Sequence, residues 1–210
     1  MEISKKIKSL LLRNEKWLPI INESGTVYGK ITYSQSISKK NKYLHPIVRI
    51  ALIHNGKIFL SEKKNIVTNI KTYLDYPFQR HVFYKESLED ALTKTFESIE
   101  SESDLNRNCA YLFHYIHHSE KINRLVYFYL CPIHDDSLLK KINTSNGEWW
   151  NSRQIKENLN TGLFSPFFEN EFKFLDSTVL TFDCFTNIPS SFHQNNRPAT
   201  ISLLSKQQLL

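Results

Sequence analysis

The chain has 210 residues and a formal net charge of +6, a balance that favours anionic ligands. Hydrophobic residues make up 40%, with 14 Phe, 10 Tyr and 3 Trp among the aromatics; that bulk excludes wholesale disorder and suits one domain with appendages. Cys109, Cys131 and Cys184 are odd in number and widely spaced, which excludes a disulfide framework and predicts free thiols in a reducing compartment.

The N-terminal MEISKKIKSLLLRNEKW has an apolar core too short for a secretion signal, with Arg13 and Lys16 close behind it. No apolar run approaches the ~20 residues of a membrane helix. The expectation is a cytoplasmic protein with no membrane partner, in which residues 1–16 form an extension. Residues 17–33, WLPIINESGTVYGKITY, read as two strands around a Glu23-Ser24-Gly25 turn, followed by polar loop in SQSISKKNKY. HPIVRIALIHNGKIFLSE at 45–62 predicts a hairpin, because Asn55-Gly56 sits between two β-rich runs.

A helix is expected at about 86–101. At about 100° per residue, Leu88, Ala91, Leu92, Thr95, Phe96 and Ile99 fall on one side. Glu86, Glu89, Asp90, Glu97 and Glu100 fall opposite, as a solvated face would, and Ser87 is the candidate N-cap. CAYLFHYIH and RLVYFYLC predict a second hairpin, whose alternating aromatics read as core. EWWNSRQIKENL predicts a strand passing into a helix capped by Asn151 or Ser152. SPFFENEFKFL predicts a helix with Ser165 as cap and Pro166 at the first position. STVLTFDCF reads as a strand at the start of a polar C-terminal extension, 177–210, expected to be partly mobile or docked. The order of elements predicts an α+β domain with helices on both sides of a sheet.

The stretch RHVFYKESLEDALTKTFESIESE at 80–102, with the hairpin phrase HPIVRIALIHNGKIFLSEK before it and GEWWNSRQIKENLNTGLFSPFFENEF after it, resembles the Nudix hydrolase family. The family's box is G-x5-E-x7-R-E-U-x-E-E-x-G-U, with U aliphatic. Arg80 stands at its first Gly, Glu86 at its first Glu, Lys94 at the Arg and Thr95 at the next Glu. Phe96 stands at U, Ser98 and Ile99 at the paired glutamates, and Ser101 at the closing Gly. His81-Val82 is similar to the Gly-His-Val opening of the branch that includes isopentenyl-diphosphate isomerases. The resemblance covers residues 17–176 and implies an α/β/α sandwich with a mixed central sheet. It also implies metal-assisted attack of water on a phosphoanhydride, with Mg²⁺ or Mn²⁺ as cofactor.

The residues present depart from that chemistry. A hard cation wants carboxylate oxygens, and Thr95, Ser98 and Ile99 supply none. Glu97 and Glu100 are one residue out of register, about 100° around the helix. Glu86 is the only acid in register, so it is the single candidate metal or catalytic residue. No glycine occurs between Gly56 and Gly147 to let backbone close on a phosphate. The isomerase branch has a Cys before its Gly-His, where this chain has Gln79. His45 and His81 are a possible ligand pair, whereas His114, His117 and His118 do not share a face.

The candidate ligand-binding residues are therefore Arg80, Lys85, Lys94, His81 and Arg49, all able to meet an anion. The reading that follows is a divergent Nudix-like protein that binds a nucleotide- or diphosphate-type ligand with little or no hydrolysis, needing Mg²⁺ or Mn²⁺ only if hydrolysis survives. One alternative is an active hydrolase that recruits Glu148 or Asp135 and Asp136 alongside Glu86. A third reading is a small nucleic-acid-binding module. A phosphate-bearing small molecule is the expected partner, and a homodimer is the commonest assembly for a soluble oligomer.

Overall fold

The computed structural model describes residues 15–38, 42–64, 72–96, 109–118, 123–143 and 146–178. Strands β1 (Trp17–Ile21) and β2 (Val27–Thr32) pair antiparallel. Asn22 Oδ1 accepts the backbone N–H groups of Ser24 and Thr26 and so closes the turn between them. Gly25 takes φ 80° in that turn, and an ideal Cβ there would lie 2.7 Å from the Tyr127 hydroxyl. Thr32 then caps a short helix, α1 (Tyr33–Ser36), with Gln35 completing a capping box. This turn of helix corrects the polar loop expected at 34–43.

Strands β3 (His45–His54) and β4 (Lys57–Lys64) form the expected hairpin. Asn55 and Gly56 both take positive φ, 47° and 68°, as a two-residue turn matched to strand twist requires. Two short strands follow that the sequence pattern does not predict, β5 (Thr72–Asp75) on β4 and β6 (Phe78–His81) on β3. Helix α2 (Leu88–Thr95) has Ser87 as N-cap, with Asp90 completing the box. It begins two residues later than expected, so Glu86 belongs to the loop before it. Ser98, Ile99 and Ser101 lie outside the described residues.

Strands β7 (Ala110–His118) and β8 (Asn123–Pro132) make the second expected hairpin. An unforeseen helix, α3 (Asp136–Asn143), comes next. Then β9 (Glu148–Asn151) leads into α4 (Ser152–Asn158), capped by Asn151. Helix α5 (Pro166–Thr178) starts where Ser165 Oγ accepts the Phe168 N–H. Ser177 and Thr178 are helical, which corrects the start of the expected tail strand; residues 179–210 lie outside the described residues.

Among the described residues the main sheet has seven strands in the order β5-β4-β3-β8-β7, with β6 also on β3 and β9 also on β4. Strand β3 runs parallel to β8, from His45 opposite Arg124 to Ile53 opposite Pro132, so the sheet is mixed. Side-chain alternation divides β3 between two cores. Val48, Ile50 and Leu52 face Ala91 of α2 and Leu138 and Ile142 of α3. Ile47, Ala51 and Ile53 face Ile155 of α4 and Phe168, Phe172 and Leu175 of α5. With both faces covered, nine of the ten β3 residues are buried, the continuous apolar reading of a central strand. The result is a mixed α+β, α/β/α sandwich. Cys109 and Cys131 are buried and form no disulfide with each other. Among the described residues no helix is long and apolar enough to cross a membrane.

Candidate functional site

The β1–β2 hairpin packs against the loop that precedes α2. The Tyr84 N–H donates to the Trp17 carbonyl at 2.8 Å, and the Val82 N–H donates to the Pro46 carbonyl at 3.2 Å. A cleft of about 580 Å³ lies between these parts. The hairpin side supplies Lys16, Trp17 and Lys30. Strand β6 supplies Arg80, the loop supplies Phe83, Tyr84, Lys85 and Glu86, and α2 supplies Asp90 and Lys94.

Five cationic side chains therefore face two acids. Glu86 is the inner one, with only 7% of its side chain exposed. One carboxylate oxygen accepts from Arg80 Nη1 at 2.7 Å and from the Phe83 N–H at 2.9 Å. The other accepts from Lys94 Nζ at 2.9 Å. Burial pushes this carboxyl up, but the bonds from Arg80, Phe83 and Lys94 outweigh it and hold it below its ordinary value. Asp90 is at the rim, where it accepts from the Ser87 N–H and closes the helix cap.

Of the three remaining cations, Lys16 and Lys30 lie over aromatic rings, and Arg80 shares one of them. Lys30 Nζ is 4.7 Å from the Trp17 ring centroid and 5.2 Å from that of Tyr84. Lys16 Nζ and the Arg80 guanidinium are each 5.0 Å from the Phe83 ring centroid. Lys85 is exposed and holds φ 70°, an uncommon conformation for a side chain with a Cβ. Chemically, the arrangement offers fixed positive charge beside flat apolar faces.

The expected ligand residues separate into two groups. Arg80, Lys85 and Lys94 line the cleft, and Glu86 joins them as a counter-charge. His81 and Arg49 do not line it. The His81 Nδ1 is buried without a hydrogen bond, and its ring meets that of Tyr33 edge-on at 5.5 Å. Arg49 is 1% exposed, and its donors go to Glu171 at 2.8 Å, to Asp75 at 2.6 Å and to Gln79. Two buried carboxylates, on β5 and α5, take up its charge.

The acids considered as substitutes do not line this cleft either. Asp135 accepts the Leu138 N–H at 2.9 Å and caps α3, and Glu148 lines a separate cleft beside β4 and β5. The three histidines of β7 have separate surroundings. Tyr111 bonds His114, Phe167 stacks on His117, and Asn123 meets His118. Phe113, Tyr115 and Phe128 are core residues and no stacking platform.

A divalent metal does not fit the donors found. Among the described residues, no group of three His, Cys, Asp or Glu side chains could hold one. Both Glu86 oxygens already face cations, and the Thr95 hydroxyl donates to the Ala91 carbonyl at 2.6 Å. Lys16, Trp17 and Lys30 escape a reading based on the box. Their available signal is hairpin register: Trp17 opposes Thr32, so Lys30 is its diagonal neighbour on the same face.

No protein-family model matches the chain, and no curated protein matches it in sequence. Among solved structures, the crystal structure of DR0079 from Deinococcus radiodurans matches with a TM-score of 0.53 at 14% identity, over 75% of this chain and 97% of that one. A solution structure of DR0079, reported as a hypothetical Nudix protein, scores 0.44 at 14% identity over 78% and 96%. An ADP compounds hydrolase scores 0.45 at 9% identity over 79% and 88%. The first of these shows a shared fold: the chain has the Nudix architecture.

Proposed function

We propose that this Nudix-fold protein binds a nucleotide- or diphosphate-type anion in the cleft beneath the β1–β2 hairpin, with little or no hydrolysis. One observation carries the reading. Five cations surround a cleft whose inner acid, Glu86, is already neutralised by Arg80 and Lys94. The surplus positive charge suits phosphate oxygens. The faces of Trp17, Phe83 and Tyr84 suit the ring or sugar that such anions carry. Hydrolysis by the family's route needs carboxylates on a metal, and Glu86 is committed elsewhere.

The test pairs two measurements on one panel of nucleoside and sugar diphosphates. Thermal denaturation with each compound reads binding, and phosphate or mononucleotide release with Mg²⁺ or Mn²⁺ reads turnover. A raised midpoint without release is the expected result. Metal-dependent release that disappears in Glu86→Gln would overturn the reading in favour of an active hydrolase. Steeply salt-dependent binding to RNA or DNA, with no response to the panel, would overturn it in favour of a nucleic-acid module.

A further inference from the structure

We infer that the cleft selects the metal-free form of its phosphate ligand, so that Mg²⁺ opposes binding where hydrolases of this architecture would need it. The inference rests on the ligand class proposed above and adds a specificity to it. A diphosphate group must be neutralised to leave water, by a metal held on carboxylates or by fixed cations. This cleft has the second means and lacks the first.

Glu86 shows the lack. Recruiting its carboxylate to a metal means breaking contacts of 2.7 Å to Arg80 and 2.9 Å to Lys94. The cation would then sit beside the two it displaced. Asp90 is tied to the Ser87 cap and offers one exposed carboxylate. No described group of three ligating side chains exists to compensate.

Lys16, Lys30 and Lys85 are the cations left to meet a ligand, since Arg80 and Lys94 share the Glu86 carboxylate and keep one positive charge between them. No described ion pair engages Lys30 or Lys85. Lys30 is placed in advance because its ammonium sits over both Trp17 and Tyr84. Lys16 is placed likewise over Phe83. Aromatic faces hold these side chains at little cost in hydration, so less freedom is lost when phosphate arrives. A bound Mg²⁺ cancels the negative charge that these lysines would meet, and it repels them directly. Metal-loaded diphosphate is thus the poorer ligand on both counts.

Calorimetric titration of the full chain decides it. Inorganic pyrophosphate and ADP are titrated once with EDTA and once with excess MgCl₂, with NaCl matching the ionic strength. The expected dissociation constant is about tenfold or more lower with EDTA. Under EDTA, Lys30→Gln and Lys85→Gly each weaken binding about tenfold, while Lys57→Gln, remote on β4, leaves it unchanged. Glycine at position 85 keeps the positive φ available, so that variant removes charge without strain; melting of each variant no lower than that of the wild type confirms its fold. Equal or tighter binding with Mg²⁺ overturns the inference and leaves the ligand class standing. Full affinity in both lysine variants also overturns the inference, because these lysines then do not meet the phosphate. Absence of binding in both buffers overturns the ligand class, and this inference with it.

Discussion

A guanidinium with 1% of its surface exposed must find its counter-charges inside the protein, and Arg49 finds two, Asp75 and Glu171. The Tyr115 hydroxyl donates to Glu171 at 2.7 Å, and Gln79 accepts a further Arg49 donor, so the network joins β3, β5, β6, β7 and α5. Burial alone would lower the Arg49 pKa, but the carboxylates of Asp75 and Glu171 reverse this and hold it charged. Arg49→Met leaves those carboxylates buried and uncompensated, and should destabilise the fold by about 3–5 kcal/mol. Urea denaturation measures this; a loss below about 1 kcal/mol would show that water reaches the network. Glu86 yields a pH-dependent counterpart. Its folded pKa lies below the ordinary 4.5, so its stabilisation is complete above that value and disappears as pH falls through the folded one. Glu86→Gln should therefore melt below wild type at neutral pH, and the gap between the two midpoints should close on acidification. A gap that stays constant would show that Arg80 and Lys94 gain nothing from the charge.

At the level of elements, the local rules that shape each segment also decide what could be read in advance. Gly56→Ala puts a Cβ at φ 68° in the β3–β4 turn and should cost about 1–2 kcal/mol in denaturant unfolding. That hairpin was legible because Asn55-Gly56 states its turn type in two residues. The caps at Ser87, Asn151 and Ser165 were legible for the same reason, since each acts within three positions of itself. Strands β5, TYLD, and β6, FQRH, are four residues each. Asp75 and Gln79 interrupt their apolar pattern because they serve Arg49, a partner far away in sequence. Helix α3 is too short to set its Leu138–Ile142 spacing apart from loop. The site divides in the same way. Arg80, Lys85, Glu86 and Lys94 follow from one continuous stretch, whereas Lys16, Trp17 and Lys30 arrive only when the hairpin folds across to Tyr84. Arg49 and His81 lie outside the cleft, and their burial could not be told from anion chemistry in the sequence.

The sandwich as a whole encloses imidazoles along with its hydrocarbon, and this sets how it responds to acid. Burial lowers His45, brings His81 to about 3 and brings His117 to about 4. The facing charges act in the same direction. Arg124, His45 and Arg80 surround His81, and Arg49, His118 and Arg124 surround His117. Each of these histidines is neutral in the folded chain at a pH where the unfolded chain would protonate it near 6.5. Unfolding therefore takes up protons, and stability must fall as pH drops below that value, down toward the folded pKa. Between about pH 7 and pH 5 the loss is about 2 kcal/mol for each of His81 and His117, well before Glu86 releases its partners. The chain's charge of +6 adds to this, because further protonation increases self-repulsion. His117→Phe isolates one contribution: the new ring can keep the stack on Phe167, now at 3.8 Å between centroids, while the titrating group is gone. Urea unfolding at the two pH values should show the wild type losing about 2 kcal/mol more than the variant. Equal losses would mean that His117 is hydrated in the folded chain, and no loss in the wild type would mean that the sandwich does not keep its histidines neutral. An anion bound in the cleft as proposed would act against this decline, because it would bind the folded chain alone and offset part of the positive charge that acid adds.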